Sequence, residues 1–443
     1  MIDREKIGRL LAGSKENSRA EGRMLQIMQR TRELLINEPG NAGMFLDLRI
    51  LPPRPKFRIF PVMKANRFTL SDGIAVYDGN ELLIKGALEA GVALITGYPG
   101  SPVANVFDVI ETNQELFRSL GIKGVIANNE NQSAAILHGA MSVPGVFGMT
   151  VFKSVGAYVA LDGLAITNYT IPEAGSAALC VAGDDPALSS TQVGADSRFT
   201  YSSAKIPVLE PSTNQEIKDW IREGFQLARD AQLLVGYIIT TNQADGGGTV
   251  RVRENRAPAV NMNERVQVDT RAIKLRERVS VPPNSAWLEK DIIDRRMPRF
   301  LELLRERGLN RIEAGAGSDT GFIAGGNAYN YLRHALHEMG EDGPSPILKL
   351  GCSWPVDPHV VLRFAEQVER IVVVEEKRGF VETQVKEILR DAEQAGTQRF
   401  LPVWGKRFPD PLHGIPEEGG LTPSLLIDRI GRLLLHLRGG SGK

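Results

Sequence analysis

The sequence predicts an α/β fold in which a doubly wound domain is followed by a smaller α/β domain. Between Ile74 and Asn242, apolar runs such as VALITG, GVIAN and AALCVAG alternate with segments of helical period such as NQEIKDWIREGFQLARD. A second alternation of the same kind begins with GFIAGG and ends with RFLPVW. Because parallel strands that are covered on both faces read as continuous apolar runs, we expect buried, mostly parallel sheets with helices on both sides.

These signals divide the chain into four parts: an N-terminal extension (1–73), the doubly wound domain (74–243), a linker with helices (244–312) and the smaller α/β domain (313–443). Within the extension, the segment Leu51–Leu70 combines five cations with three phenylalanines and no acid. That composition fits a nucleic-acid-binding arm. Its prolines instead favour an extended strap that lies over this chain or over a partner subunit.

Composition narrows the classes of partner. Lys and Arg together number 53, and so do Asp and Glu. The balanced charge gives no reason to expect binding to nucleic acid or to an anionic membrane. Cys180 and Cys352 are the two cysteines, too few to hold an iron–sulfur cluster, and we expect both to be core residues.

The first residues, MIDREKIGRLL, are charged where a signal peptide would be apolar, so a cytoplasmic protein is expected. The stretch from Gln132 to Phe152 has no charged residue and is long enough to raise the question of a membrane span. Pro144-Gly145 interrupts it, and a buried helix, a turn and a buried strand are the simpler interpretation.

Ligands in open parallel sheets bind beyond the carboxyl ends of the strands, so the loops there are candidate sites. The loop GYPGSP follows VALIT and contains Pro99, Gly100 and Ser101. Its glycines permit a tight turn, and a helix starting at Ser101-Pro102 would present backbone N–H groups to an anion such as a carboxylate. Capping of that helix alone also explains these residues.

Two further loops carry acids. Glu130 follows GVIANN and begins the helical segment QSAAILHGAM. Its position in the first turn is favourable for the helix dipole, and an acid buried there could also share a proton with an aromatic nitrogen of a ligand. Asp184 and Asp185 follow AALCVAG, where they suggest a metal site or an acid/base pair, or else turn formation and capping.

Several motifs in order resemble those of the alpha subunits of indolepyruvate:ferredoxin oxidoreductase and related thiamine-diphosphate-dependent 2-oxoacid:ferredoxin oxidoreductases. They are GALEAGVALITGYPGSP, NNENQSAAILHGAMSVPG, TVFKSVGAYVALDGLA, AGDDPALSSTQVGADSRF, LKLGCSWPVDP and VVVEEKRGFVETQVKEI. The resemblance runs from about Ile74 to about Leu435. It implies that the first domain is a thiamine-enzyme pyrimidine-binding domain and that the second resembles the transketolase C-terminal domain.

The resemblance also implies roles for individual residues. Glu130 would be the acid that hydrogen-bonds N1′ of the thiamine aminopyrimidine, and Pro99 and Gly100 would contact the cofactor. Ser101, Lys153 and Ser154 would face the substrate, and Ser101 retains a hydroxyl where relatives carry a Thr near the substrate carboxylate. Ser154 replaces a His of the family pattern, which leaves the identity of the substrate open, and Lys153 could equally be a solvated or ion-paired residue.

The resemblance further implies an assembly. The chain has no Gly-Asp-Gly metal motif, so Mg²⁺ and the diphosphate are expected on a partner subunit and no metal ligand is expected here. Iron–sulfur clusters would lie on a ferredoxin-like subunit, a gamma-type subunit would complete the enzyme, and coenzyme A would accept the acyl group of an aromatic 2-oxoacid. A non-oxidative 2-oxoacid decarboxylase and a non-catalytic scaffold subunit are the alternatives.

Overall fold

The computed structural model describes residues 66–265 and 269–439. Most of the predicted N-terminal extension, including all but the end of the basic and aromatic segment, therefore lies outside the described residues. The strands are β1 (Ile74–Asp78), β2 (Leu94–Gly97), β3 (Lys123–Ile126), β4 (Phe147–Lys153), β5 (Ala177–Asp184), β6 (Val208–Leu209), β7 (Val235–Thr240), β8 (Gly247–Arg251), β9 (Arg311–Glu313), β10 (Thr320–Gly325), β11 (Ile347–Leu350), β12 (Cys352–Trp354), β13 (Arg370–Val374) and β14 (Val403–Trp404).

The α-helices of the described residues are α1 (Gly79–Ala90), α2 (Asn105–Thr112), α3 (Gln114–Leu120), α4 (Glu130–Ala140), α5 (Ser154–Tyr169), α6 (Ser197–Ser203), α7 (Asn214–Ala231), α8 (Thr241–Ala244), α9 (Leu275–Arg278), α10 (Asn284–Asp291), α11 (Met297–Glu306), α12 (Gly326–Glu338), α13 (Pro358–Ala365), α14 (Phe380–Gln394) and α15 (Pro423–Leu437). Capping boxes begin α1, at Asp78 and Glu81, and α7, at Thr213 and Glu216. Each satisfies backbone N–H groups that the first helical turn leaves unpaired.

The larger sheet has the strand order β12-β6-β7-β5-β4-β2-β3 within the described residues, and its neighbours are parallel except for β12 and β6. The strands β4, β5 and β7 are almost wholly buried, as their apolar runs predict. The prediction of a buried strand is wrong for β3, which lies at the sheet edge and leaves Ile126 49% exposed. Its short apolar run does not distinguish an edge strand from a central one.

The smaller sheet has the order β14-β13-β10-β11-β9, and β9 alone runs antiparallel to its neighbour among these strands. The helices α12 and α15 cover one face with a core that includes Leu332, Leu336 and Ile430. The helices α13 and α14 cover the other face through Phe364 and Val385. The predicted fold class, two mostly parallel α/β sheets layered with helices, is therefore confirmed.

Two strand pairs connect distant parts of the chain. The strand β12 follows the smaller sheet's β11 in sequence but pairs with β6 of the larger sheet, with Cys352 opposite Leu209. The strand β8, within the segment that we predict to be a linker, pairs antiparallel with β1. Residues beyond 243 thus complete the layers around the first domain.

The uncharged stretch from Gln132 to Phe152 forms the body of α4, a turn with Gly145 at a φ of +79°, and β4. This is the helix, turn and strand that the Pro144-Gly145 pair predicts. No helix among the described residues is long and apolar enough to cross a membrane. Cys180 and Cys352 are free and buried in the core, as expected, and burial raises the pKa of the Cys352 thiol to about 12.

Candidate functional site

Three candidate loops leave neighbouring strands at the same level of the larger sheet. Gly97, the last residue of β2, lies opposite Ile126 of β3 on one side and Val151 of β4 on the other. The backbone N–H of Ala127 donates to Gly97 O at 2.9 Å, and that of Tyr98 donates to Val151 O at 3.2 Å. The GYPGSP loop, the segment leading to Glu130, and Lys153-Ser154 therefore meet at one carboxyl edge, where ligands bind in folds of this kind.

The start of α4 is fixed by side chains on either side of Glu130. Asn129 is the N-cap, and its side-chain oxygen accepts from the backbone N–H of Gln132 at 2.8 Å. The side chain of Gln132 in turn accepts from the backbone N–H of Asn128 at 2.9 Å. This reciprocal pair satisfies the backbone N–H of Gln132 in the first turn and that of Asn128 just before the helix. The cap does not use Glu130, whose side chain is directed elsewhere.

The side chain of Glu130 lies against the first turn of α5. A methyl group at position 156 would lie 2.7 Å from both Cγ and Oε1 of Glu130, so glycine at that position makes the contact possible. Glu130 itself begins α4. The side chain of Glu130 therefore lies next to the N-terminal turns of two helices, where the partial positive charges of the helix ends favour an anionic group.

Glu130 is a buried residue, with 7% of it exposed. No residue that the structure describes donates a hydrogen bond to its carboxyl group; the one side-chain donor to this residue among the described residues is Ser133 Oγ, which donates to its backbone oxygen at 2.7 Å. A carboxylate on a residue this buried normally has hydrogen-bonded partners. This acid is therefore available to a donor that the described residues do not supply.

Lys153 lies over the GYPGSP loop. A methyl group at position 100 would lie 2.9 Å from Cγ and Cδ of Lys153, so the aliphatic part of the lysine packs on the backbone of Gly100. Its ammonium group forms no ion pair or hydrogen bond within residues 66–265 and 269–439. The structure thus brings a positive charge to the same edge as the loop and leaves it for a ligand or solvent, while Pro99 is exposed.

Ser154 follows Lys153 and is the first residue of α5, a helix that has no side-chain N-cap. It is 1% exposed, and its hydroxyl oxygen is buried without a hydrogen-bond partner among the described residues. A buried hydroxyl without a partner is unfavourable by about 1–3 kcal/mol. The position that departs from the family pattern is therefore polar, enclosed and unsatisfied.

Ser101 is held by a residue that the sequence did not single out. Its hydroxyl donates to Ser190 Oγ at 2.8 Å. Ser190 belongs to the loop that follows β5, and the hydroxyl-rich run SST at 189–191 was the available sequence signal. The structure thus joins the GYPGSP loop to the loop that carries Asp184 and Asp185.

Asp185 organises that loop. It accepts from the backbone N–H groups of Ser190, at 2.7 Å, and Thr191, at 3.0 Å, and from the hydroxyl of Ser189 at 2.9 Å. Burial acts to raise the pKa of Asp185, but the hydrogen bonds from Ser190 and Ser189 outweigh it and lower the pKa to about 2. Asp185 is therefore a saturated carboxylate that shapes a turn.

Asp184 serves a different segment. It accepts from the backbone N–H of Ser197 at 3.0 Å and from the hydroxyl of the same residue. Burial, followed by the charge of Asp196, raises the pKa of Asp184 to about 7. No cluster of three or more His, Cys, Asp or Glu residues suited to a metal ion occurs in the described part of the chain. The two adjacent acids have separate partners, which favours the interpretation as turn and capping residues.

Arg198 joins the carboxyl edges of the two sheets. Its guanidinium donates to both oxygens of Asp196, at 2.9 and 2.8 Å, to Glu375 Oε2 at 2.7 Å and to Glu376 O at 2.7 Å. Glu375 also accepts from the backbone N–H groups of Val381 and Glu382 at the start of α14. The sequence gives no signal for this contact, because Arg198 and Glu375 are 177 positions apart. Arg198, Asp196 and Glu375 are hereafter called the Arg198 cluster.

Comparisons with known proteins show what the chain is similar to. A family profile described as an indolepyruvate oxidoreductase domain matches residues 310–440. The indolepyruvate oxidoreductase subunit IorA of Methanothermobacter marburgensis is 31% identical over 319 residues, which are 72% of this chain and 48% of that protein. IorA of Pyrococcus horikoshii is 31% identical over 317 residues, 70% of this chain and 46% of that protein. The chain thus spans about half the length of these relatives.

A solved structure shares the fold. It is a 2-oxoglutarate:ferredoxin oxidoreductase from Magnetococcus marinus with 2-oxoglutarate, coenzyme A and succinyl-CoA bound. The TM-score is 0.59 at 15% sequence identity, over 82% of this chain and 65% of that one. The same architecture therefore occurs in an enzyme that acts on a 2-oxoacid. The chain is therefore homologous to indolepyruvate oxidoreductase subunits over about 70% of its own length and about half of theirs, and residues 310–440 match an indolepyruvate oxidoreductase domain.

Proposed function

We propose that this chain is a subunit of a thiamine-diphosphate-dependent 2-oxoacid:ferredoxin oxidoreductase and that Glu130 hydrogen-bonds the aminopyrimidine ring of the cofactor. One observation carries the proposal. Glu130 is buried at two helix N-termini, and no described residue donates to its carboxyl group. A protonated ring nitrogen would supply the missing donor, and charge-assisted hydrogen bonds of this kind are about twice as strong as neutral ones.

The residues present fit this cofactor at its pyrimidine end. Pro99 is exposed and Gly100 half-buried, in the loop that leaves the strand next to the one preceding Glu130. Thiamine diphosphate, when bound, supplies the carbon nucleophile and the electron sink for decarboxylation of a 2-oxoacid. The contribution of Glu130 is to hold and share a proton at the ring nitrogen in a site from which much of the water is excluded.

The substrate carboxylate is assigned to the other loops at the same edge. The aliphatic part of the Lys153 side chain packs on Gly100. Its ammonium group is not paired with any acid in the described residues, so it can balance the charge of a 2-oxoacid. The hydroxyl of Ser101 is exposed to an approaching ligand. The resemblance adds Ser154, whose unsatisfied hydroxyl is enclosed at the start of α5 and would contact the substrate only after its side chain turns towards the loop edge.

The other half of the site is assigned to partner subunits. In this proposal one partner holds Mg²⁺ and the diphosphate, and a ferredoxin-like partner holds the iron–sulfur clusters that receive the electrons. A gamma-type subunit completes the complex, and coenzyme A accepts the acyl group of an aromatic 2-oxoacid. Two apolar side chains of α5, the helix that contacts Glu130, support contact with a partner subunit at this face. Tyr158 and Val159 are 50% and 51% exposed, and exposed apolar patches mark interaction surfaces.

The test is the reconstituted complex carrying Glu130→Gln, assayed for 2-oxoacid-dependent reduction of a viologen dye. We expect turnover to fall by about a hundredfold or more, the scale for removing a positioned acid or base. Asp108→Asn, which removes an exposed carboxylate on α2, is the matched control and should retain turnover.

The outcomes separate the alternatives. Unchanged turnover in Glu130→Gln would refute the assigned role. Release of CO₂ without dye reduction would favour a non-oxidative decarboxylase. A wild-type complex without any 2-oxoacid turnover would favour a scaffold subunit.

A further inference from the structure

The hydroxyl of Ser101 is part of a pair. Its hydrogen bond to Ser190 Oγ spans 2.8 Å and lies at the protein surface. Both residues are within reach of a ligand, since Ser101 is half-buried and Ser190 is exposed. Each hydroxyl offers one proton and two lone pairs, so the direction of this hydrogen bond can reverse.

Ser190 is itself fixed, but not through its hydroxyl. Its backbone N–H donates to Asp185 Oδ2 at 2.7 Å, whereas its hydroxyl lies at 3.4 Å from the same oxygen. A contact of 3.4 Å is weak for a hydrogen bond between oxygens. The backbone contact therefore holds the residue in place, and the hydroxyl proton is free to turn towards Ser101.

The loop that carries Ser190 is also supported by the second domain. A methyl group at position 194 would lie 2.9 Å from the ammonium nitrogen of Lys377, and one at position 420 would lie 3.0 Å from Ala187 Cβ. At its end, Asp196 is held by Arg198 of the Arg198 cluster. The loop thus has fixed points before and after Ser190, and the serine presents its hydroxyl from a defined backbone.

We propose that Ser190 is a positioning residue for the carboxylate of the 2-oxoacid, an inference that rests on the proposed function. With the site empty, Ser101 donates to Ser190. When the carboxylate arrives, it attracts the proton of Ser101, because charged acceptors form the stronger hydrogen bonds. Ser190 then donates to Ser101 Oγ, and the chain from Ser190 through Ser101 to the substrate is strengthened cooperatively.

The experiment compares two neighbouring serines in the reconstituted complex. Ser190→Ala removes the hydroxyl that contacts Ser101. Ser189→Ala removes a hydroxyl that donates to Asp185 at 2.9 Å and has no contact with Ser101. We expect Ser190→Ala to raise KM for indolepyruvate about tenfold with kcat within about threefold of wild type, the pattern for lost substrate binding. KM for coenzyme A should not change.

Ser189→Ala should leave KM for indolepyruvate unchanged, and Ser190→Thr, which keeps a hydroxyl, should restore it. The melting temperature of the two Ser190 variants should match that of wild type, because Ser190 is exposed. Ser189→Ala should melt slightly lower, because it loses the hydrogen bond to Asp185. Equal KM in Ser190→Ala and wild type, or an equal rise in both alanine variants, would overturn the inference while leaving the proposed function in place. A wild-type complex without 2-oxoacid turnover would overturn both.

Discussion

Two strands of the larger sheet, β3 and β5, are followed by acids whose carboxyl groups are used differently. After β5, Asp185 accepts from Ser190 and Thr191 backbone N–H groups at 2.7 and 3.0 Å, and Asp184 accepts from Ser197. After β3, the carboxyl group of Glu130 accepts a hydrogen bond from none of the described residues, although only 7% of this residue is exposed. The saturated acids shape the backbone around them, and the unsaturated acid remains available to a ligand.

The neighbours of each acid explain this difference. Ser189, Ser190 and Thr191 surround Asp185 with short side chains and backbone donors from one turn. Glu130 faces Gly156, which offers no side chain, and its own cap is built by Asn129 and Gln132. A pair of acids in sequence is therefore weaker evidence for chemistry than one buried acid whose surroundings leave it unpaired.

Removing the positive charge of Arg198, which holds the end of the loop after β5, should have the largest effect on stability. Arg198→Met leaves Asp196 and Glu375 buried, at 6% and 4% exposure, without their guanidinium partner. Loss of one partner from a buried ion pair destabilises by about 3–5 kcal/mol. Urea unfolding of the full chain measures the change in the free energy of unfolding.

Arg432→Met is the control for that substitution. Arg432 pairs with Asp428 at 2.7 Å on the surface of α15, where it is 69% exposed. Surface pairs contribute little, so the free energy of unfolding should change little. If the two variants were equally stable, the Arg198 cluster would not join the two sheets in solution.

Sequence reasoning identifies the strand ends but not the partners at each end. Alternating apolar and helical segments predict both sheets, and the order of the motifs predicts Glu130 and Ser101. The pairing of Arg198 with Glu375, and of β12 with β6, depends on contacts between segments far apart in the chain. No local pattern records such contacts. The hydrogen bond from Ser101 to Ser190 was missed for the same reason.

A substitution next to Glu130, whose carboxyl group has no partner among the described residues, should affect turnover rather than stability. Gly156→Ala places a methyl group 2.7 Å from Glu130 Oε1 and so displaces the carboxyl group. Because small misplacements of a reacting group are costly, we expect kcat of the reconstituted complex to fall by about a hundredfold. The viologen assay measures it.

The matched glycine for this test is Gly139, in α4. A methyl group at position 139 would have no atom within 4 Å, so Gly139→Ala should keep full turnover and add the stability that alanine gives a helix. Wild-type turnover in Gly156→Ala would show that the position of Glu130 does not matter for the reaction.

The dependence of the free energy of unfolding on pH should distinguish Asp184 from Asp185. The pKa of Asp184 is raised from 3.8 to about 7, so its proton stabilises the folded chain below pH 4, and this contribution is lost as the pH rises through 7. The slope is at most about 1.4 kcal/mol per pH unit. Asp184→Asn should remove this loss, so its stability relative to wild type should increase between pH 4 and 7 in thermal unfolding.

The opposite sign is expected for Asp185. Its pKa is lowered from 3.8 to about 2, so its charge stabilises the folded chain above pH 4, and this contribution is lost as the pH falls towards 2. Asp185→Asn should therefore differ most from wild type at neutral pH. Identical pH profiles for the two variants would contradict the separate environments of these acids.

A map of the intact complex with thiamine diphosphate tests the central claim most directly. The measurement is the distance from the carboxyl oxygens of Glu130 to N1′ of the aminopyrimidine ring. We predict a hydrogen bond of about 2.6–3.0 Å, with the diphosphate held by another subunit. A Glu130 side chain turned to solvent, or a subunit interface without cofactor density, would contradict the account.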